Sequence, residues 1–225
     1  MTLVAGTDVA KGRWVVVVLS DGEFDRATVT KNLSDFLEEA KGLEVLAVDI
    51  PIGLPAGKEH RRCDLAAKKL LKPKSSSVFF TPPRPVLEAP TYNEANQLSR
   101  SAFGRGVSAQ SYALRAKILE VDPIAASDDR IIEVHPEVCF HAMKGSALAY
   151  PKKSWNGQME RRSLLESHGI QLPDQIETTG KTPPDDVLDA TAAAWSAWRV
   201  TKGTARVLPD CAAGCSFGQR GVIWY

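Results

Sequence analysis

Two apolar runs of this chain each close on an aspartate, and this pairing constrains the fold more than any other feature. Leu3 to Asp8 is the first, and Glu44 to Asp49 (EVLAVD) the second. An acid closing an apolar strand is costly to bury unless a partner neutralises it. Between the two runs lie Trp14–Leu19 and Glu23–Thr30, set off by the turn-prone AKG and by Asp21-Gly22. Strands joined by such tight turns form a meander. Val15 to Val18 are apolar at every position, which predicts a strand buried on both faces. If the first strand is central and the fourth lies beside it, Asp8 and Asp49 face one crevice at the strands' carboxyl ends. Open α/β sheets place their ligands there.

The remaining pattern alternates helices with a fifth strand. Ser34 is a candidate cap for a short helix to Ala40. Helices are predicted over Ser108–Ala125, His135–Lys144, Met159–His168 and Pro184–Val200, with a strand over Arg130–Val134. Residues of about 51–107 read as a long insertion after the fourth strand, with helices near Arg61–Leu71 and Tyr92–Phe103. The expected fold class is α/β: a mixed five-stranded sheet flanked by helices, in one domain spanning the 225 residues.

The third and fourth acids come from the last helix. Asp186 and Asp189 stand three apart, on one helix face, ahead of the small apolar run Ala190-Thr-Ala-Ala-Ala-Trp195. Four carboxylates converging without an interleaved Lys or Arg repel one another. A divalent cation resolves this, and oxygen ligands suit Mg²⁺ or Mn²⁺. Two ions about 4 Å apart can activate water for phosphodiester hydrolysis. The plainer reading makes each Asp a turn former or cap. Glu133, His135 and Glu137 follow in IIEVHPEV. Glu133 is a candidate catalytic acid facing the same crevice, and His135 and Glu137 are candidate auxiliaries. Alternatively, Glu133 pairs with an insertion arginine and His135 caps the helix starting at Pro136.

Net charge is +1, so nucleic-acid binding would need a local patch. From Ala56 to Val86 eight Lys/Arg face two acids, with Phe79 and Phe80 among them. Basic charge with aromatics suits phosphates and bases. Arg61, Arg62, Arg84, Lys153 and Arg161 are the candidate substrate-binding residues, with Lys152 able to join them. No run approaches the roughly 18 apolar residues of a membrane span. The N-terminus lacks a signal-peptide pattern, so a cytoplasmic location is expected. Cys63, Cys139, Cys211 and Cys215 read as reduced thiols rather than a zinc site.

Several motifs together resemble a known family, the predicted ribonuclease H-like nucleases of domain-of-unknown-function family 429. They are GTDVAKGRW, AVDIPIGLP, RRCD, VFFTPPR, SAQSYALRAKILEVD, IIEVHPEVCF, the K-x-x-x-G-x-x-x-R pattern of Lys153, Gly157 and Arg161, and DDVLDATAAAW. The resemblance implies a fold similar to RuvC-type resolvases. There, an acid on the first strand, an acid ending the fourth and a D-x-x-D-A motif on the last helix hold the metals. Asp8, Asp49 and Asp186-Val-Leu-Asp189-Ala match that pattern. The expected function is a metal-dependent nuclease. Its competitors are a non-catalytic nucleic-acid-binding or regulatory module and a hydrolase of a small phosphorylated metabolite. A phosphotransferase ranks last, because Gly-rich phosphate loops and a second copy of the domain are missing.

Overall fold

The structure is a computed structural model that describes residues 1–210 and 218–225. Its first three strands are β1 (Leu3–Ala10), β2 (Arg13–Ser20) and β3 (Glu23–Thr30), paired antiparallel. The turns place Lys11-Gly12 and Asp21-Gly22 at positive φ, the conformation that two-residue hairpin loops require. β2 is buried on both faces, as its unbroken valine run requires. A short helix α1 (Leu33–Glu39) leads to β4 (Leu43–Val48), which runs parallel to β1. Asn32, rather than Ser34, occupies the cap position of α1. β5 (Ile131–Glu133) pairs parallel to β4, which completes the sheet in the order β3-β2-β1-β4-β5. The expected mixed five-stranded α/β sheet is therefore present, and it is consistent with a ribonuclease H-like arrangement.

Between β4 and β5 lie α2 (Arg62–Leu70), a single 3₁₀ turn (Ser75–Ser77), α3 (Arg84–Glu88), α4 (Tyr92–Phe103), α5 (Ala109–Ala113) and α6 (Arg115–Ser127). The single helix expected over 108–125 is two, broken at Leu114. The halves serve different cores. Tyr112 of α5 packs with Val86, Ala95 and Val107 inside the insertion, whereas Ile118 and Val121 of α6 cover the sheet. One straight axis cannot serve both.

After β5 come α7 (Pro136–Lys144), α8 (Trp155–Ser167) and α9 (Pro184–Thr201). These three cover one face of the sheet, and α1 and α6 cover the other. Two short strands that were not anticipated, β6 (Val207–Leu208) and β7 (Ile223–Trp224), form a separate pair, and Trp224 also bridges to Val134. Cys63 and Cys139 are buried free thiols; Cys211 and Cys215 lie outside the described residues. No helix among the described residues is long and apolar enough to cross a membrane.

The contact that sets the site is α9 on β1. A Cβ added to Gly6 would stand 2.0 Å from the Ala194 nitrogen and 2.3 Å from the Ala190 oxygen. With no side chain on Gly6 and alanines at 190 and 192–194, the helix backbone lies directly on the strand. Asp189 precedes that contact by one residue, and Asp8 follows it by two.

Candidate metal centre

Strand register places the first two acids side by side. Thr7 pairs with Val48, so Asp8 and Asp49 are the next residues on adjacent parallel strands. The Asp49 N–H donates to the Thr7 carbonyl at 3.1 Å. Side chains alternate between faces along a strand. Val4 and Ala10 of β1, and Val45 and Ala47 of β4, pack on the face covered by α9. Asp8 and Asp49 share their parity and point to that side, where α9 brings Asp189. Asp8 is 8 % exposed and Asp189 2 %. Asp186, one turn earlier, is half-buried at the rim.

Lys152 enters this group, contrary to the expectation of four carboxylates without an interleaved cation. Its Nζ donates to Asp189 Oδ2 at 2.6 Å and lies 3.8 Å from Asp185 Oδ2. The loop that carries it is tied to α8. Ser154 Oγ accepts from the Gly157 N–H at 3.1 Å and donates to the Pro151 carbonyl at 2.7 Å. A Cβ on Gly157 would fall 1.9 Å from the Pro151 oxygen, so only glycine admits the loop there. Arg161 donates to the Gly157 carbonyl at 3.0 Å and pairs with Glu137. The spaced Lys153, Gly157 and Arg161 thus mark the support of Lys152.

One ammonium does not balance these acids. Burial, then the charges of Asp49 and Asp189, push the Asp8 carboxyl well above its usual range, with Lys152 opposing. Burial raises Asp49 to about 7, against the opposing pull of Lys152, and Glu137 adds to the rise. Asp189 is raised to about 6 by burial, again with Lys152 opposing. Asp186 is raised by burial and by Asp185, and Lys152, Lys153 and Lys11 pull it back. For Lys152, burial works against the ammonium, but Asp189, Asp8 and Asp49 outweigh it and hold the charge. Asp189 Oδ1 is buried with no hydrogen-bond partner among the described residues.

Glu133 does not join the crevice. It shares the parity of Ile131, which faces α6, and so points to the other side of the sheet from Asp8 and Asp49. It pairs with an insertion arginine, the alternative that the sequence left open. Arg61 donates to Glu133 Oε1 at 2.6 Å and Oε2 at 2.8 Å, and to Asp64 Oδ1 at 2.5 Å. The Ile52 N–H donates to Glu133 Oε2 at 2.7 Å, and the Thr81 N–H to Asp64 Oδ2 at 2.9 Å. This triad fastens the insertion to the sheet. Removing one member of such a buried pair costs about 3–5 kcal/mol.

Cys63, Asp64 and Glu133 have ligand atoms within 4.8 Å of one another, a spacing that could hold a metal ion. Arg61 already supplies the positive charge there, and burial pushes the Cys63 thiol up, away from the thiolate a metal needs. The Asp8 crevice differs in two respects: its carboxylates raise one another's pKa, and Asp189 Oδ1 has no hydrogen-bond partner among the described residues.

The expected substrate-binding arginines divide. Arg61 and Arg161 are buried in ion pairs and are not free for phosphate. Arg84 is engaged with Glu88 and Asp122 on the surface. Arg62 is exposed, and Lys153 is exposed beside Asp186. His135 takes the N-cap position of α7, with Nε2 3.4 Å from the Ser77 oxygen. Burial lowers its pKa, so it stands neutral rather than as a ready acid. Glu137 lies near enough to raise both Asp49 and Asp189. Neither Asp185 nor Lys11 was among the candidates named from the sequence. A basic residue in the turn after an acid-bearing strand was the available signal for Lys11.

The fold and site define a class: a mixed-sheet α/β protein with acidic groups gathered at the carboxyl ends of its two central parallel strands. Over residues 6–213 the chain matches the family described as protein of unknown function, DUF429, and it belongs to that family. No curated protein and no solved structure matches it.

Proposed function

We propose that this protein is a metal-dependent phosphodiesterase that cleaves nucleic acid. The observation that carries this reading is the convergence of Asp8, Asp49, Asp186 and Asp189 against a single inserted ammonium, which leaves charge for a cation to balance. The donors are all oxygens, which favours Mg²⁺ or Mn²⁺ over softer metals. Asp8, Asp49 and Asp189 would hold the ion, with Asp186 at the rim. A divalent ion bound there supplies Lewis-acid stabilisation and lowers the pKa of water. Lys152 balances Asp189, and Lys11 and Lys153 give the rim positive charge suited to a phosphate. Glu137, held by Arg161, adds negative potential that keeps the crevice selective for cations.

The test is cleavage of single-stranded, duplex, hybrid and junction nucleic acids under Mn²⁺. At least one should be cut, with the rate reduced at least about a hundredfold in Asp8→Asn/Asp189→Asn, since even outer-shell changes reach that size. Metal binding without cleavage of any of the four would overturn the nuclease reading in favour of a small phosphorylated metabolite.

A further inference from the structure

The basic insertion carries a second cavity, apart from the carboxylates. It occupies about 400 Å³ between α2, the 76–83 segment and the 105–110 loop. Its two cations are Lys68 and Arg105, and no acid lines it. Neither cation has a carboxylate partner among the described residues. Lys68 donates to the Ser75 carbonyl at 3.2 Å, and Arg105 to the carbonyls of Lys58 and Glu59. Burial, then Arg105, lowers the pKa of His60, as expected where positive charge is uncompensated. The His60 Nδ1 and the Thr81 hydroxyl, in the cavity wall, are buried without hydrogen-bond partners among the described residues, and Thr81 is 1 % exposed. The wall also carries the apolar Val78, Phe79, Pro82, Pro83 and Val107 and the polar Ser76, Ser99, Ser108 and Gln110.

A phosphate alone would leave most of this volume empty, whereas cavities of about 300–1,000 Å³ take whole small ligands. His60 stacks on Phe80 at 3.5 Å between centroids, and Lys68 sits 4.7 Å from the same ring, so Phe80 is already engaged. Phe79 and the prolines remain for a planar group.

We propose that this cavity binds a nucleotide unit, with its phosphate between Lys68 and Arg105 and its base against Phe79 and the adjoining prolines. Its link to strand cleavage rests on the nuclease reading; nucleotide occupancy itself does not.

The experiment is calorimetric titration of the full chain in chelator with adenosine 5′-monophosphate, adenosine, inorganic phosphate and a 5′-phosphorylated oligothymidylate. The variants are Lys68→Gln/Arg105→Gln and Phe79→Ala. The monophosphate or the oligonucleotide should bind, and either supports the proposal: the first marks a free nucleotide, the second a strand. Losing the charge-assisted contacts should weaken binding at least about tenfold in the double variant. Phe79→Ala should also weaken it, with melting temperature and Mn²⁺ affinity kept in both variants. Because the titration excludes metal, an inactive crevice does not affect its outcome. Unchanged binding in the double variant, or inorganic phosphate binding as tightly as the nucleotide, would overturn the proposal.

Discussion

Asp49 and Asp189 hold protons at pH values where ordinary carboxyls have lost them. Asp49 titrates at about 7 in the folded chain against 3.8 for a free side chain, and Asp189 at about 6. Between those limits the folded state binds more protons than the unfolded state, so stability falls as pH rises. The stabilisation is complete below the unfolded pKa and is lost as pH passes through about 7. The metal-free protein should therefore melt higher at about pH 5 than at about pH 8, and Asp49→Asn should flatten that slope. A melting temperature that climbs with pH across this window would contradict the site's electrostatics. At this scale Asp8, Asp49 and the Asp186/Asp189 pair were legible, because an acid closing an apolar run is chemically conspicuous. Lys152 was noticed only as part of a basic patch. Its place among the acids depends on a loop folded back on α8, a long-range contact that no spacing encodes. Glu133 was misplaced because strand parity, which decides its face, follows from register with β4.

Helix α9 on strand β1 is the element pair that assembles the centre. The small apolar run in α9 was visible in the sequence, but Gly6 was read only as part of a motif. With backbone atoms 2.0–2.6 Å from a new Cβ, Gly6→Ala must push the helix off the strand. The expected loss is about 3 kcal/mol, the upper part of the usual overpacking range. Mn²⁺ affinity should fall with it, since Asp189 moves with the helix. A denaturation midpoint equal to wild type would show that the contact is looser than described. The long helices were readable from their periodicity and caps. The break at Leu114 was not, because it arises from two separate cores pulling on one apolar run. The short β6 and β7 offer two residues each, too few for a period.

At the scale of the whole molecule, the meander followed by parallel strands fixes β1 at the centre, and this brings Asp8 beside Asp49. The insertion is fastened to the opposite face by the Arg61 triad, and two of its other cations, Lys68 and Arg105, line a cavity of its own. A net charge of +1 hides both that cavity and the acidic crevice. Under the proposed function the crevice, not the Cys63/Asp64/Glu133 group, holds the divalent ion. Mn²⁺ titration by calorimetry on wild type, Asp8→Asn and Cys63→Ser decides between them. Binding weakened at least about tenfold in Asp8→Asn and unchanged in Cys63→Ser is expected, as loss of a ligand requires. Wild-type affinity in Asp8→Asn would contradict that placement of the ion.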